Sequence, residues 1–299
     1  MSVQTSLYQW TTVPTEFISA DGISFAYREY GQQNGGTPII FLNHLAAVLD
    51  NWDPRIMDGI AKTHYVVAFD NCGVGASTGR VAESIEQMAD DAITFIEAKG
   101  FDKVDLFGFS MGGMISQEIA MKKPSLVRKM VISGTGPAGG EGIAKVNRVA
   151  DREFIKGLLT CQDPKVFLFF TRSNNGKRAA KAFIKRINER TENPDKKNQD
   201  FSVSRSTSPK KNGATKKPVD LSVIKHPTLV ANGEHDRMVP TPNTHDLAKR
   251  LPNSQLIIYP DAGHGGIFQY HKDFVKQTLD FLAKKINFIW ACQHLNSVT

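Results

Sequence analysis

Short apolar runs of strand length constrain this chain more than any other feature. Pro38 to Leu42, Tyr65 to Phe69, Val104 to Phe107, Val127 to Ile132, Thr228 to Ala231 and Leu256 to Tyr259 are mostly apolar. Such runs suit strands buried on both faces of a parallel sheet. Helical spacing falls between them, most clearly at Ile85, Met88, Ala89, Ala92, Ile93 and Ile96, with Ser84 and Gln87 forming a capping box and Gly100 closing the end. Phe274 to Leu282 repeats the helical pattern. Thr15 to Ala20 and Ile23 to Tyr30 flank an Asp21-Gly22 turn and read as an antiparallel hairpin. Strands alternating with helices give right-handed crossovers and helices on both sheet faces, so the predicted fold class is α/β.

The alternation breaks between Pro137 and Pro218 and resumes at His226-Pro227-Thr228-Leu229-Val230. The middle therefore reads as an insertion into one discontinuous core, with residues 1–136 and 221–286 as the core, 137–220 as a cap or lid, and 287–299 as a tail. Arg152 to Arg190 is helix-like and includes the aromatic cluster Phe167 to Phe170, whereas Lys196 to Lys217 offers only Phe201, Val203 and Ala214 as apolar residues. So little burial cannot offset the entropy of ordering, and 196–217 is expected to be a mobile linker or a partly disordered lid.

The net charge of +7 comes from one place: Arg172 to Lys217 holds 14 Lys/Arg against 4 Asp/Glu, leaving the rest of the 299 residues slightly acidic. A localised basic segment reads as a solvated insertion, or as a contact for an acidic partner or membrane surface, and nucleic-acid binding by the whole chain is not expected. No apolar run approaches the roughly 20 residues of a membrane helix, and Met1 to Thr12 lacks the features of a secretory signal. Cys72, Cys161 and Cys292 are odd in number and widely spaced, which suits a reduced, cytoplasmic protein and neither a disulfide framework nor a metal site.

The sharpest chemical signal is Gly108-Phe109-Ser110-Met111-Gly112, between the run ending at Phe107 and a helix opening at Gly113-Met114-Ile115. In that setting the turn is tight, the serine projects from the sheet, and the Met111 N–H, at a helix N-terminus, is free to donate to a developing oxyanion. Gly75-Ala76-Ser77-Thr78-Gly79 fits the same pattern but lies in a loop away from strand and helix; Gly73, Gly75 and Gly79 also miss the dinucleotide spacing by one residue. A nucleophilic serine needs a base. His264, in the glycine-rich Asp261 to Gly266 loop past Tyr259, stands where an open α/β sheet gathers its ligands. His64, His245, His271 and His294 lie in or beside helical patterns, and His226 precedes its strand. Asp236, after the run ending at Ala231, is the expected orienting acid, with Glu234 as its rival and Asp261 too near His264 in sequence. The order Ser110, Asp236, His264 is that of one particular scaffold.

On these motifs the chain resembles the α/β-hydrolase superfamily over nearly its whole length outside the insertion. Asn43-His44-Leu45 resembles the family's His-Gly oxyanion loop, and Asp70 to Ser77 its Asp-x-Arg-Gly-x-Gly-x-Ser loop. The resemblance implies a mostly parallel eight-stranded sheet, a cap insertion, no cofactor, and the N–H groups of Leu45 and Met111 as oxyanion donors. It is closest to cofactor-free esterases, enol-lactonase-like hydrolases and haloperoxidase-like perhydrolases, whose serine turn also reads Gly-x-Ser-Met-Gly-Gly. Leu45 stands where the family has Gly, and Cys72 where it has Arg, which removes any ion pair made by that arginine. The polar second half of the insertion implies a more open pocket or a less stable protein.

The resulting expectation is a serine hydrolase acting on a small carboxylic ester or lactone. Peroxide in place of water would make it a perhydrolase, and a non-catalytic binding protein on the same fold is the reading from a different class. His44, Trp52 and Phe109 are pocket candidates, although an aromatic near a sheet edge, as the last two are, is more often a core residue.

Overall fold

The computed structural model describes residues 9–143, 146–195 and 219–284. The 196–217 stretch and the 287–299 tail lie outside the described residues. The strands are β1 (Glu16–Ala20), β2 (Ile23–Tyr30), β3 (Ile39–Leu42), β4 (Val66–Phe69), β5 (Val104–Phe109), β6 (Val127–Ser133), β7 (Thr228–Gly233) and β8 (Ser254–Tyr259). They form one eight-stranded sheet in the order β1-β2-β4-β3-β5-β6-β7-β8. Both pairings made by β2 are antiparallel, and the other five are parallel.

The unbroken apolar runs are explained by what each face meets. Ile39, Phe41, Val66, Ala68, Phe107 and Phe109 face one hydrophobic cluster. Their chain neighbours Ile40, Leu42, Val67, Phe69, Val104 and Leu106 face the other. The first cluster is completed by α1 (Pro54–Ala61) and a C-terminal helix, the second by α2 (Ile85–Ala98) and α3 (Met111–Lys122). At the start of α2 Ser84 Oγ accepts from Gln87 N–H (3.2 Å), while Gln87 reaches back one residue further than the simplest capping box, to Glu83 N–H (3.2 Å). Gly100, at φ 73°, ends the helix in the left-handed conformation.

Between β6 and β7 the helix-like stretch resolves into three helices, starting earlier than its periodicity suggests: α4 (Val146–Thr160), α5 (Lys165–Phe169) and α6 (Asn174–Ile187). Two further helices flank β8: α7 (Pro242–Arg250) before it and α8 (Gly266–Gln269) after it, and α9 (His271–Ala283) follows. No helix among the described residues is long and apolar enough to cross a membrane.

One buried cation fastens α9 to the sheet. Lys129, on β6, donates from Nζ to the carbonyls of Phe281 and Leu282 (2.9 Å each) and Lys284 (2.6 Å). These carbonyls end a helix and have no intrahelical donors, and the cation also opposes the negative end of the helix dipole. Lys129→Met is therefore expected to lower the unfolding free energy by about 2–3 kcal/mol in urea titrations. A loss below about 0.5 kcal/mol, the range of a neutral surface change, would contradict this fastening role.

Candidate active site

Four loops at the carboxyl ends of the parallel strands build the site, the region where open α/β sheets place their ligands. Ser110 follows β5 immediately and adopts φ 56° and ψ −115°, a conformation that L side chains rarely take. The flanking glycines explain how the turn closes. A methyl group on Gly108 would run into the Gly112 carbonyl and the Ser116 hydroxyl, and one on Gly112 into the Leu42 carbonyl. Ser110 caps α3, so the N–H of Met111, its first residue, points out of the helix without an intrahelical acceptor.

His264 follows β8 and is 1% exposed. Its Nδ1 lies 2.8 Å from Oδ2 of Asp236, in the loop after β7. A carboxylate can only accept, so Nδ1 is the donor to Asp236 and, in the neutral ring, Nε2 keeps its lone pair. The other Asp236 oxygen accepts from the N–H groups of Met238 (2.8 Å) and Val239 (3.0 Å), which fixes the carboxylate. Glu234 is half exposed, lies 3.6 Å from His235, and accepts from Asp261 N–H at 3.2 Å. The structure thus brings Asp236 to the histidine and turns Glu234 away from it.

Ser110 and His264 border a common cavity of about 950 Å³. Its walls include His44 and Leu45 from the loop after β3, Phe154 and Leu158 from α4, Leu168 and Phe169 from α5, and Met238. His44 donates from Nδ1 to the Leu45 carbonyl (3.0 Å), and its Nε2 is buried without a partner among the described residues. Burial, with Lys165 nearby, pushes the His44 pKa down to about 3, so its ring is neutral at ordinary pH.

The expectation that Trp52 and Phe109 line the pocket is corrected, because neither borders this cavity. Trp52 sits edge-on against Phe41 and Phe107, at ring-centre distances of 5.1 and 5.6 Å, inside the core. Phe109 is fully buried beneath the site, 5.0 Å from the His264 ring and 5.5 Å from that of His44. It supports both imidazoles from below. Ser77, the decoy serine, is buried and structural: its Oγ donates to the Asp70 carbonyl (2.8 Å) and accepts from Ala26 N–H (2.9 Å).

The helices inserted after β6 close over the histidine through contacts that sequence reading did not find. Gly265 N–H donates to the Phe169 carbonyl (2.8 Å), and the Phe169 ring lies 5.5 Å from that of His264. Asp261 faces the insertion and not His264: its carboxylate accepts from Ser173 (2.8 Å), Thr171 (3.1 Å) and Asn175 (3.3 Å). Those hydrogen bonds, that of Ser173 foremost, hold its pKa below the usual carboxylate value. Arg186, on α6, grips the buried Asp53 with two nitrogens (Nε at 2.9 Å and Nη2 at 2.7 Å) and donates to the Phe268 carbonyl (3.0 Å). The break in alternation after Pro137, the helix-like stretch Arg152 to Arg190 and its aromatic cluster Phe167 to Phe170 signalled a cover, but not these contacts. Among the described residues no group of three or more His, Cys, Asp or Glu gathers at metal-ligating spacing.

Residues 37–269 match a family model described as the alpha/beta hydrolase fold. A 2-hydroxy-6-oxo-6-(2'-aminophenyl)hexa-2,4-dienoic acid hydrolase of Metapseudomonas resinovorans is 25% identical over 278 residues, covering 90% of this chain and 91% of its own. An alpha/beta hydrolase fold protein from Chitinophaga pinensis is 34% identical, with a TM-score of 0.86 over 93% of this chain and 100% of that one. The enol-lactonase from Burkholderia xenovorans LB400, at 20% identity, shares the fold with a TM-score of 0.72 over 90% of this chain and 100% of its own.

Proposed function

The chain belongs to the α/β-hydrolase family, and from that premise we propose that it is a serine hydrolase of carboxylic esters or lactones. The observation that carries the proposal is the 2.8 Å bond from His264 Nδ1 to Asp236, made by a histidine that borders the same cavity as Ser110. This bond leaves the Nε2 lone pair available as the base.

Ser110 Oγ attacks the substrate carbonyl while His264 Nε2 takes its proton, and Asp236 holds the ring in this tautomer and stabilises the imidazolium. The N–H groups of Leu45 and Met111 receive the negative charge that develops on the carbonyl oxygen. Collapse of the tetrahedral intermediate passes the proton to the departing alkoxide and leaves an acyl group on Ser110. His264 then deprotonates a water molecule that attacks this acyl group, and the acid departs with Ser110 restored. In a lactone the alkoxide stays tethered, and the product is a hydroxy acid.

The cavity volume of about 950 Å³ is near the upper end of small-molecule sites, roughly 300–1,000 Å³, and its α4 and α5 walls are mostly apolar. Short- to medium-chain p-nitrophenyl esters and simple lactones are suitable first substrates, assayed beside Ser110→Ala with and without peroxide. Hydrolysis that disappears with Ser110 supports the proposal. Halogenation that requires peroxide and Ser110 would move the acceptor from water to peroxide. A folded protein inert toward every ester and lactone would favour the non-catalytic binding reading.

A further inference from the structure

Behind the wall that carries Leu45, one backbone N–H faces two carboxylates. Leu49 N–H lies 3.0 Å from Oδ1 of Asp70 and 3.1 Å from Oδ2 of Asp195. Asp70 follows β4 in the core and Asp195 follows α6 at the end of the inserted helices; both are buried. The second Asp70 oxygen accepts from Ala76 N–H at 3.1 Å, and the backbone N–H of Asp195 is held by Asp50 Oδ2 at 2.7 Å. Two cations stand nearby: Arg28, from β2, pairs with Asp50 at 2.6 Å, and Arg190, past α6, donates to the carbonyls of Val13 (2.8 Å) and Asn193 (3.1 Å), lies 4.0 Å from Asp50 and interacts with the charges of both Asp50 and Asp195.

Two carboxylates that converge on one donor in a buried site repel each other strongly if both are ionised. One proton held between them replaces that repulsion with an O–H···O bond. We propose that Asp195 is a positioning residue that shares one proton with Asp70 and so fixes the loop from Asn43 to Asn51, and with it the Leu45 N–H, against the cavity. Burial and the negative charge of Asp195 both push the Asp70 carboxyl well above the usual carboxylate range, in keeping with a retained proton. Val48, Asp50 and Asn51 of the same loop line the cavity, so loosening the pair displaces the wall itself. The family's Arg is replaced here by Cys72, whose thiol donates to the carbonyls of Thr78 and Arg80 (3.5 and 3.1 Å), and Asp70 is met by a second acid.

The catalytic consequence rests on the serine-hydrolase reading; the shared proton does not, and each has its own readout. Asp195→Asn keeps the shape, removes one charge and supplies an amide N–H to Asp70. Above the usual carboxylate range, wild type should hold an infrared carboxylic C=O band to higher pH than Asp195→Asn, which keeps the burial of Asp70 but not the charge of Asp195. A carboxyl whose folded pKa is raised contributes stability that is present below its unfolded value, about 3.9, and is lost as pH rises through the folded value. The melting temperature of wild type should therefore fall relative to that of Asp195→Asn as pH rises across that window. On esters, wild type should lose kcat on the alkaline side of the same window while Asp195→Asn does not. Asp195→Ala should lose roughly tenfold to a hundredfold in kcat with a smaller change in KM.

Identical infrared spectra and parallel curves of melting temperature against pH would overturn the shared proton. Should Asp195→Asn not fold, Asp70→Asn poses the same test from the other side of the pair. A band and a melting split in a protein that cleaves no ester would uphold the pair and remove only the hydrolase reading.

Discussion

Replacing Ser110 with alanine is expected to lower ester turnover by roughly 10⁴-fold or more, with KM little changed for substrates that still turn over. The hydroxyl is the proposed site of bond formation, so what survives is the contribution of substrate binding and the oxyanion donors alone. Loss of activity through unfolding is separable from loss of the nucleophile, because the backbone at Ser110 is itself strained. At φ 56° a Cβ atom is unfavourable, and alanine keeps it. Ser110→Gly removes that strain and should be equally inactive while gaining about 1–3 kcal/mol in stability. An active Ser110→Gly variant would count against the nucleophile, and one less stable than wild type would count against the strain.

Asp236→Asn should lower kcat by roughly 10³–10⁴-fold, because an amide that donates to Nδ1 puts the proton on Nε2, the atom that must act as base. The shape of the site is preserved, so KM and stability should move little. Glu234→Gln is the matched control: Glu234 is half exposed and accepts from Asp261 N–H, without contact to His264. That variant should retain activity within about twofold, as surface changes away from a site usually do. The reverse ranking of the two variants would reassign the orienting acid, and equal mild effects would remove the need for any acid.

Much of this could be read from the sequence because each clue was local. Ile23 to Tyr30 forms β2 over its full predicted length, and Ser84 caps α2 as its spacing implies. The serine turn was legible because steric rules tie glycines to its two crowded positions, and Asp236 and His264 because each lies in a loop just past the carboxyl end of a strand. What stayed hidden depends on contacts between ordinary residue types far apart in the chain. Arg186 meets Asp53 across 133 residues and Ser173 meets Asp261 across 88, with nothing in either neighbourhood to nominate the pair. Trp52 and Phe109 were ambiguous because a large aromatic near a sheet edge, although more often core, also suits a pocket wall. Only the edge-on packing of Trp52 against Phe41 and Phe107, and the placement of Phe109 under two imidazoles, separate the two uses.

The most direct test of the central claim is covalent labelling with a fluorophosphonate, read by the mass of the modified peptide. An activated serine displaces fluoride and keeps the phosphonyl group on Oγ. One adduct is expected, on the peptide that contains Ser110, lost in Ser110→Ala and formed much more slowly in His264→Ala. A folded protein that takes up no label, or one labelled at Ser77, would contradict the claim.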